Sequence, residues 1–358
     1  MRFLGLIQQK FLGIDIGTSA IRLVEVSRWA RRTKLESYGE ISASALYEKP
    51  FRTFEKSTLL LSSEDISRAI KAVIEEANIK ARKVAFSIPD FSTFFTTFEL
   101  PPMTAEELPQ AVKAEARRHV PIPLSEVTLD WQVLNHAPNS EEEKLKILLV
   151  TVPDEVINQY RRIAQGLNLE LLALEAEVFS LIRSLINKDD KGVIVIVDIG
   201  ARSTTCSIIE RKVLKVSHSF DISGNNLTER IARALSIDHQ KAKELKRKYG
   251  ILHSSSGQEG DNIREILLPL IDLIINEIDK VLKGFYLREK KEIDKIILAG
   301  GTALLPGFSE YVKDYFKKEV EVANPFSKIF FPPILDKALT KMGPSYAIAL
   351  GMALRGLE

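Results

Sequence analysis

The 358 residues are 45% hydrophobic and 27% charged, enough for two ordinary cores. With 50 Lys and Arg against 48 Asp and Glu the net charge is +2, so no bulk field draws the chain to nucleic acid or to an anionic membrane. A single cysteine, Cys206, excludes an internal disulfide and a multi-cysteine zinc site and fits a reducing compartment.

The apolar start, Phe3 to Ile7, gives way to Gln8-Gln9-Lys10 and does not read as a signal peptide. The best membrane-span candidate, Leu267 to Ile275, contains Asp272, so direct membrane insertion is not expected and a cytoplasmic location is. Phe11 to Ile14 is a short uninterrupted apolar run that predicts a strand buried on both faces. Asp15-Ile16-Gly17-Thr18-Ser19 then makes a tight turn into a second strand, Ala20 to Ser27, and Leu35 to Ile41 is a third. Ser44 to Ser57 is polar and predicts a loop. Ser62-Ser63-Glu64-Asp65 caps a helix to about Ala77, with Ile66, Ile70, Val73 and Ile74 on one face.

A new unit is expected over residues 82–150, inserted into the first domain. Its predicted strands are Val84 to Ile88, Phe94 to Leu100, Val127 to Leu134 and Lys146 to Val152. Thr104-Ala105-Glu106-Glu107 is a capping box for a helix that Val120-Pro121-Ile122-Pro123 breaks, and Asn139 to Glu143 is a charged loop tip. A helix from Asp154 to about Gly166, a strand from Leu169 to Leu174 and a connecting helix from Glu175 to Ile186 complete the first half.

Val193 to Val197, Asp198-Ile199-Gly200-Ala201-Arg202-Ser203-Thr204 and a hairpin of strands, Thr204 to Glu210 and Lys212 to Asp221, then repeat the opening of the chain. Such a turn offers successive N–H groups and small hydroxyls to a phosphate, and an Asp at the strand end can hold a hydrated Mg²⁺. One copy would be an ordinary hairpin turn, but two copies opening two halves imply a duplication that grips one polyphosphate. A helix beginning near Gly224-Asn225 follows, then a Lys-rich helix from Asp238 to Tyr249, the loop Ser254 to Gly257, and a long amphipathic helix from Asp261 to about Lys290. Lys295 to Ala299 is a buried strand ending in Gly300-Gly301-Thr302, and Ser345 to Leu354 is a small-residue helix. P-loop, dinucleotide and nucleophile-elbow patterns are missing, and the five histidines have no metal-ligand spacing.

The ordered set of turn, connecting helix, turn, Gly-Gly turn and small-residue helix resembles the superfamily of actin, sugar kinases and heat-shock chaperones. That resemblance implies an α/β, actin-like (ribonuclease H-like duplicated) two-domain ATPase fold with ATP between the domains. Asp15, Gly17, Thr18 and Ser19 match its first phosphate motif, and Asp198, Gly200, Ser203 and Thr204 its second. Gly300, Gly301 and Thr302 match its adenosine motif, with Gly224, Asn225, Glu244 and Lys246 as further nucleotide contacts. Mg²⁺ would sit by Asp15 and Asp198, held through water. In Ala242-Lys243-Glu244-Leu245-Lys246, Lys243 departs from the acid that related chains carry there. Glu175 and Glu177 are the acids available to orient a water for hydrolysis, or else helix-start charges complementing the dipole.

Within the superfamily the chain resembles the type IV pilus assembly protein PilM family. The shared features are Phe11 to Gly17, Glu99-Leu100-Pro101-Pro102-Met103, Glu115 to Leu124 with its Pro121-Ile122-Pro123, Asp130-Trp131-Gln132-Val133-Leu134 and Gly166-Leu167. The resemblance divides the chain into a first domain, 1–81 and 151–188, around an insertion at 82–150, and a second, 189–224 and 289–358, around a subdomain at 225–288. It implies an ATP-binding adaptor with at most slow turnover, serving type IV pilus or related type II secretion assembly. Its partner would be the N-terminal cytoplasmic peptide of the inner-membrane protein PilN, docked between the first domain and its insertion near Phe91, Phe94, Phe95 and Phe98. Pilus motor ATPases and self-association are further expected contacts. A small-molecule kinase of the same superfamily and a polymerising protein like FtsA are the alternatives.

Overall fold

A computed structural model describes residues 9–29, 32–43, 54–55, 58–59, 62–134, 144–187, 189–252 and 257–358. The stretch Phe3 to Ile7, most of the predicted Ser44 to Ser57 loop, the tip Asn139 to Glu143 and Ser254 to Ser256 lie outside those residues.

The first half runs β1 (Lys10–Ile16), β2 (Ala20–Trp29), β3 (Arg32–Ser42), β4 (Phe54–Glu55), β5 (Thr58–Leu59), α1 (Ser63–Glu76) and β6 (Lys83–Ile88). It continues through β7 (Phe94–Leu100), α2 (Leu108–His119), β8 (Val127–Val133), β9 (Leu145–Pro153), α3 (Asp154–Gly166), β10 (Glu170–Ala176) and α4 (Glu177–Leu185). Local chemistry sets several of these boundaries. The Ser62 hydroxyl accepts the Asp65 N–H at 3.1 Å and starts α1. Thr104 and Glu107 exchange bonds, with Thr104 N–H donating to Glu107 Oε2 at 2.9 Å and Glu107 N–H to Thr104 Oγ1 at 3.4 Å. This is the predicted capping box, and the regular helix opens just after it.

The second half runs β11 (Val193–Ile199), β12 (Thr204–Glu210), β13 (Val213–Phe220), α5 (Gly224–Leu235), α6 (His239–Tyr249) and α7 (Gly257–Glu289). It closes with β14 (Lys295–Ala299), α8 (Phe308–Phe316), β15 (Glu319–Val322) and α9 (Asp336–Arg355). The sheet order is β10-β6-β1-β2-β3 in the first half and β13-β12-β11-β14-β15 in the second. In both, the strand before the Asp-x-Gly turn pairs antiparallel with the strand after it and parallel with a later one. The two sheets are therefore the same topology used twice.

Several elements differ from the sequence expectation, among them β4, a short strand inside the predicted Ser44 to Ser57 loop, and β15, for which no strand is predicted. Val84 to Ile88, expected to open the inserted unit, is β6, a central strand of the first sheet between β1 and β10. Its run from Val84 to Ile88, apolar apart from Ser87, is buried throughout, as a strand covered on both faces requires. The separate sheet consists of β7, β9 and β8. Glu175, expected on the connecting helix, is still on β10, where it pairs with Ser87 of β6, and α4 opens at Glu177. Helix α9 begins at Asp336, ahead of the predicted Ser345, and runs through Pro344.

The two connecting helices cross over. Helix α4, from the first half, packs Val178, Leu181 and Ile182 with Ile194, Ile196 and Ile297 of the second sheet. Helix α9, from the second half, packs Tyr346, Ala349, Leu350 and Ala353 with Phe11, Val24 and Val26 of the first. They meet where any side chain at Gly351 would overlap the Ser180 carbonyl oxygen. Each fully buried Leu or Ile in these cores contributes about 1.5–3 kcal/mol. The inserted sheet joins the same core through Leu134 and Leu148, and Lys146 on β9 pairs with Glu289 at the end of α7 at 2.7 Å. It therefore bears on both halves.

Candidate functional site

Each Asp-x-Gly turn is closed by the same bond. Gly17 N–H donates to the Ala20 carbonyl at 3.1 Å, and Gly200 N–H to the Ser203 carbonyl at 3.0 Å. This alignment puts Asp15 opposite Asp198 and Ser19 opposite Arg202. The structure brings both turns to one place, because Asp15 raises the Asp198 pKa across the halves. Asp15 is buried, accepts the Ser87 hydroxyl at 3.0 Å and has Arg22 Nη1 4.0 Å away. Burial outweighs both partners and holds its carboxyl above the usual range. Asp198, half-buried at the strand end, is pushed to about 7 by burial and by Asp15.

Two more carboxylates complete the cluster. Asp90, just past β6, accepts the Val178 N–H at 3.3 Å, and its own N–H donates to Glu177 Oε2 at 3.2 Å. The reciprocal pair caps the first turn of α4. Burial, with Asp198 nearby, lifts Asp90 to about 7, and burial with Asp90, Asp15 and Asp198 holds Glu177 well above its ordinary range. Behind them the buried Tyr160 hydroxyl has no hydrogen-bond partner among the described residues and lies in the field of Glu177 and Asp15. Mutually repelling carboxyls raised toward neutrality suit a site that a cation completes. Among the described residues no three His, Cys, Asp or Glu side chains stand close enough to enclose an ion directly.

The Gly-Gly turn closes the second end. Gly300, at φ +80°, lies so near that a Cβ there would stand 2.6 Å from Asp198 Oδ1 and 2.5 Å from the Ile199 carbonyl oxygen. Only glycine fits both the angle and the space. Gly301 and Thr302 continue this turn. Gly224 N–H donates to the Gly200 carbonyl at 2.9 Å, Asn225 N–H to Ala201 at 3.1 Å, and Lys246 Nζ to the Gly224 carbonyl at 2.6 Å. A Cβ at Gly224 would stand 2.5 Å from Thr302 Oγ1. Burial beside Arg247 and Lys243 brings the Lys246 ammonium down to about 7. Gly200, Gly224, Asn225, Lys246, Gly300 and Thr302 are thus one assembly with Asp198.

Three expected site residues lie elsewhere. Thr204 is fully buried on β12 and donates its hydroxyl to the Ile222 carbonyl at 2.6 Å, so it braces the turn from behind. Glu175 is held by a forked pair with Arg183 at 2.7 and 2.9 Å. Glu244 is exposed and pairs with Lys241 at 3.8 Å, while Lys243 and Lys246 share the more buried face of α6. Of the four aromatics, Phe98 is in the inserted unit's core and stacks on His119 at 5.2 Å, and Phe95, half-buried, packs near Phe179 at 6.3 Å against the core around α4. Phe94 packs against the inserted unit's core, and Phe91 against that of the first sheet. The Pro121-Ile122-Pro123 segment, with Arg117, Val120, Leu124 and Ser125, lines a surface concavity of about 500 Å³ on the inserted unit. Asp90, Ser87, Tyr160 and Arg202 were not foreseen as site residues. The signal for Asp90 was present, since Pro89-Asp90 ends β6 where Gly300-Gly301 ends β14.

Comparison with known proteins agrees with this geometry. The family model for type IV pilus assembly protein PilM matches residues 13–357. The chain superposes on a PilM–PilN type IV pilus biogenesis complex with a TM-score of 0.84 and 25% identity, covering 97% of this chain and 98% of that one. MreB5 of Spiroplasma citri bound to ADP matches with a TM-score of 0.55 and 14% identity over 97% and 95% of the two chains, a likeness of fold. Cell division protein FtsA of Streptococcus pneumoniae serotype 2 is 21% identical over 353 residues, 88% of this chain and 75% of FtsA. The chain has the actin-like ATPase fold and belongs to the type IV pilus assembly protein PilM family.

Proposed function

We propose that this adaptor of type IV pilus assembly binds ATP with Mg²⁺ in the cleft between its two sheets and docks the cytoplasmic N-terminal tail of a PilN-like membrane protein. The observation that carries the nucleotide reading is the pair of identically bonded turns with the Asp15, Asp90, Glu177 and Asp198 carboxyls gathered between them. The N–H groups of Gly17, Thr18, Ser19, Gly200 and Ser203 would hold phosphate oxygens. Gly300, Gly301, Thr302, Gly224, Asn225 and Lys246 would line the adenosine end. The residues fit a divalent cation: the carboxyls repel one another, and the Tyr160 hydroxyl faces them without a partner. Asp15 and Asp198 would hold Mg²⁺ through its water shell, where it would neutralise phosphate charge.

Glu177 is the acid positioned to orient water, and Glu175, held by Arg183, is not. Burial and the neighbouring carboxyls favour the protonated form of Glu177, and a carboxyl that already holds a proton cannot take one from water, which favours slow turnover. Rapid phosphate release by the purified protein alone would contradict this. The match to a PilM–PilN complex supports the PilN-like partner. Among the described residues no helix is long and apolar enough to cross a membrane, and recruitment from the cytoplasm through that partner accounts for a role at the inner membrane. Motor ATPases and self-association remain further contacts of the same proposal. A pull-down with the PilN-type N-terminal peptide, run with Mg²⁺·ATP, Mg²⁺·ADP and no nucleotide, tests it. Retention that depends on nucleotide is the expected result, and no retention in any condition would overturn the docking role.

A further inference from the structure

Tyr160, in the middle of α3, is fully buried, with its ring edge-on to Phe86 of β6 and the centroids 5.7 Å apart. Val156, Ile157 and Ile163 of the same helix join that core, and for this packing a phenylalanine would serve as well. The Tyr160 hydroxyl is buried too, and it has no hydrogen-bond partner among the described residues. A buried hydroxyl left unpaired costs about 1–3 kcal/mol. Something other than the packed chain must therefore satisfy it.

The groups whose field reaches that hydroxyl are carboxyls. Burial, Glu177 and Asp15 together hold the phenol above its ordinary range, so it stays an O–H donor. Glu177 Oε2 takes the Asp90 N–H at 3.2 Å, and Asp15 Oδ1 takes the Ser87 hydroxyl at 3.0 Å with Arg22 Nη1 4.0 Å from Oδ2. An ionised carboxylate has about four acceptor positions, so both have room for a further donor. Buried polar groups set farther apart than a hydrogen bond are joined by water. No three acids among the described residues enclose an ion directly, so a cation in this cleft is held through its water shell. The groups that orient that shell then decide how tightly the ion is held.

We propose that Tyr160 is a positioning residue of the cleft: its hydroxyl donates to a water shared with the Glu177 and Asp15 carboxyls, and that water belongs to the hydration shell of a bound divalent cation. The donor stands on α3 and the acceptors on α4 and β1, so the shell joins three elements of the first half. This rests on the cation and nucleotide reading of the same cleft.

Tyr160→Phe keeps the ring and removes the donor. Binding of a non-hydrolysable ATP analogue to the full chain is measured by calorimetry with Mg²⁺ and with EDTA, and melting of the ligand-free protein is followed in parallel. The wild type is expected to bind roughly tenfold or more tightly with Mg²⁺ than with EDTA. Tyr160→Phe should lose about tenfold with Mg²⁺, stay within about twofold in EDTA, and melt without ligand at the wild-type temperature or above. Adding Glu177→Gln to Tyr160→Phe should cost little more with Mg²⁺ than the worse of the two single variants, because both act on one water. If Tyr160→Phe weakens both affinities equally, or lowers the ligand-free melting temperature, the hydroxyl is structural and the assignment is wrong. Unchanged affinity with Mg²⁺ overturns it as well, while the cleft remains a nucleotide site. If the wild type binds the analogue equally with Mg²⁺ and with EDTA, the cation reading falls and this assignment with it. If it binds in neither condition, the nucleotide reading itself falls.

Discussion

The first and second halves share one five-strand order and one turn, but they carry their additions at different points. Between β6 and α3 the first half inserts a whole sheet with its helix; between β14 and α8 the second has only the short Gly-Gly-Thr turn. The second half instead adds α6 and α7 between α5 and β14. Where the halves agree they bring matching turns and carboxylates to one place. Where they differ, the second half adds two helices beside the Gly224 and Gly300 turns and the first a separate sheet that carries the family's signature residues. On the proposed function, binding would reside in the duplication and partner choice in what interrupts it.

Breaking the crossing of the two halves should have the largest effect. Gly351→Leu forces α9 off Ser180 and is expected to cost roughly 3 kcal/mol or more, seen as a lowered melting temperature, because overlap there is with backbone rather than a flexible side chain. Next is the asymmetry of charge. Asp198→Asn should weaken Mg²⁺·ATP binding on the order of tenfold to a hundredfold, while the ligand-free protein melts at the same temperature or higher, since one of the repelling carboxyls is gone. Asp198→Ala should likewise lose nucleotide and Mg²⁺ affinity with the fold intact.

A pH series sharpens the same point. Asp90 and Asp198 titrate near 7 when folded against an ordinary 3.8, so the native state holds protons that the unfolded chain has released. Their contribution therefore falls as pH rises from about 4 to about 7 and is level above that. Melting of the ligand-free protein should drop across this window, and Mg²⁺·nucleotide should stabilise it more at neutral than at acid pH. A smaller change is expected for Lys246→Met, about tenfold in nucleotide affinity by calorimetry. Smallest is Glu175→Gln, which loosens the Arg183 fork by about 1 kcal/mol and leaves nucleotide affinity unchanged.

The parts of the fold legible in the sequence are those fixed within a few residues. The Asp-x-Gly turns, the Ser62 cap, the Thr104 capping box and the full extent of α3 follow from local bonds and periodicity. Strand β15 was invisible because it is short, and Glu319 and Glu321 break its apolar pattern on the sheet's edge. The start of α9 was hidden by Gly343-Pro344, which reads as a breaker; burial of Leu339 and Tyr346 against Phe326 keeps the helix going through it. Strand β6 was placed in the wrong sheet since its apolar run says that it is central, but not to which sheet. At the site, glycines and strand-end acids could be read, whereas Asp90 accepts a bond from Val178, 88 residues away, and Arg202 lies over a ring of the other half. Those relations exist only once the chain has folded.

The central claim is that the two turns share one triphosphate. It is tested most directly by a crystal structure of the full chain grown with a non-hydrolysable ATP analogue and Mg²⁺. The account predicts phosphate oxygens within hydrogen-bond distance of the N–H groups of both the Gly17 and the Gly200 turns, with the ion beside Asp15 and Asp198. A nucleotide bound outside that cleft, or touching one turn alone, would contradict it.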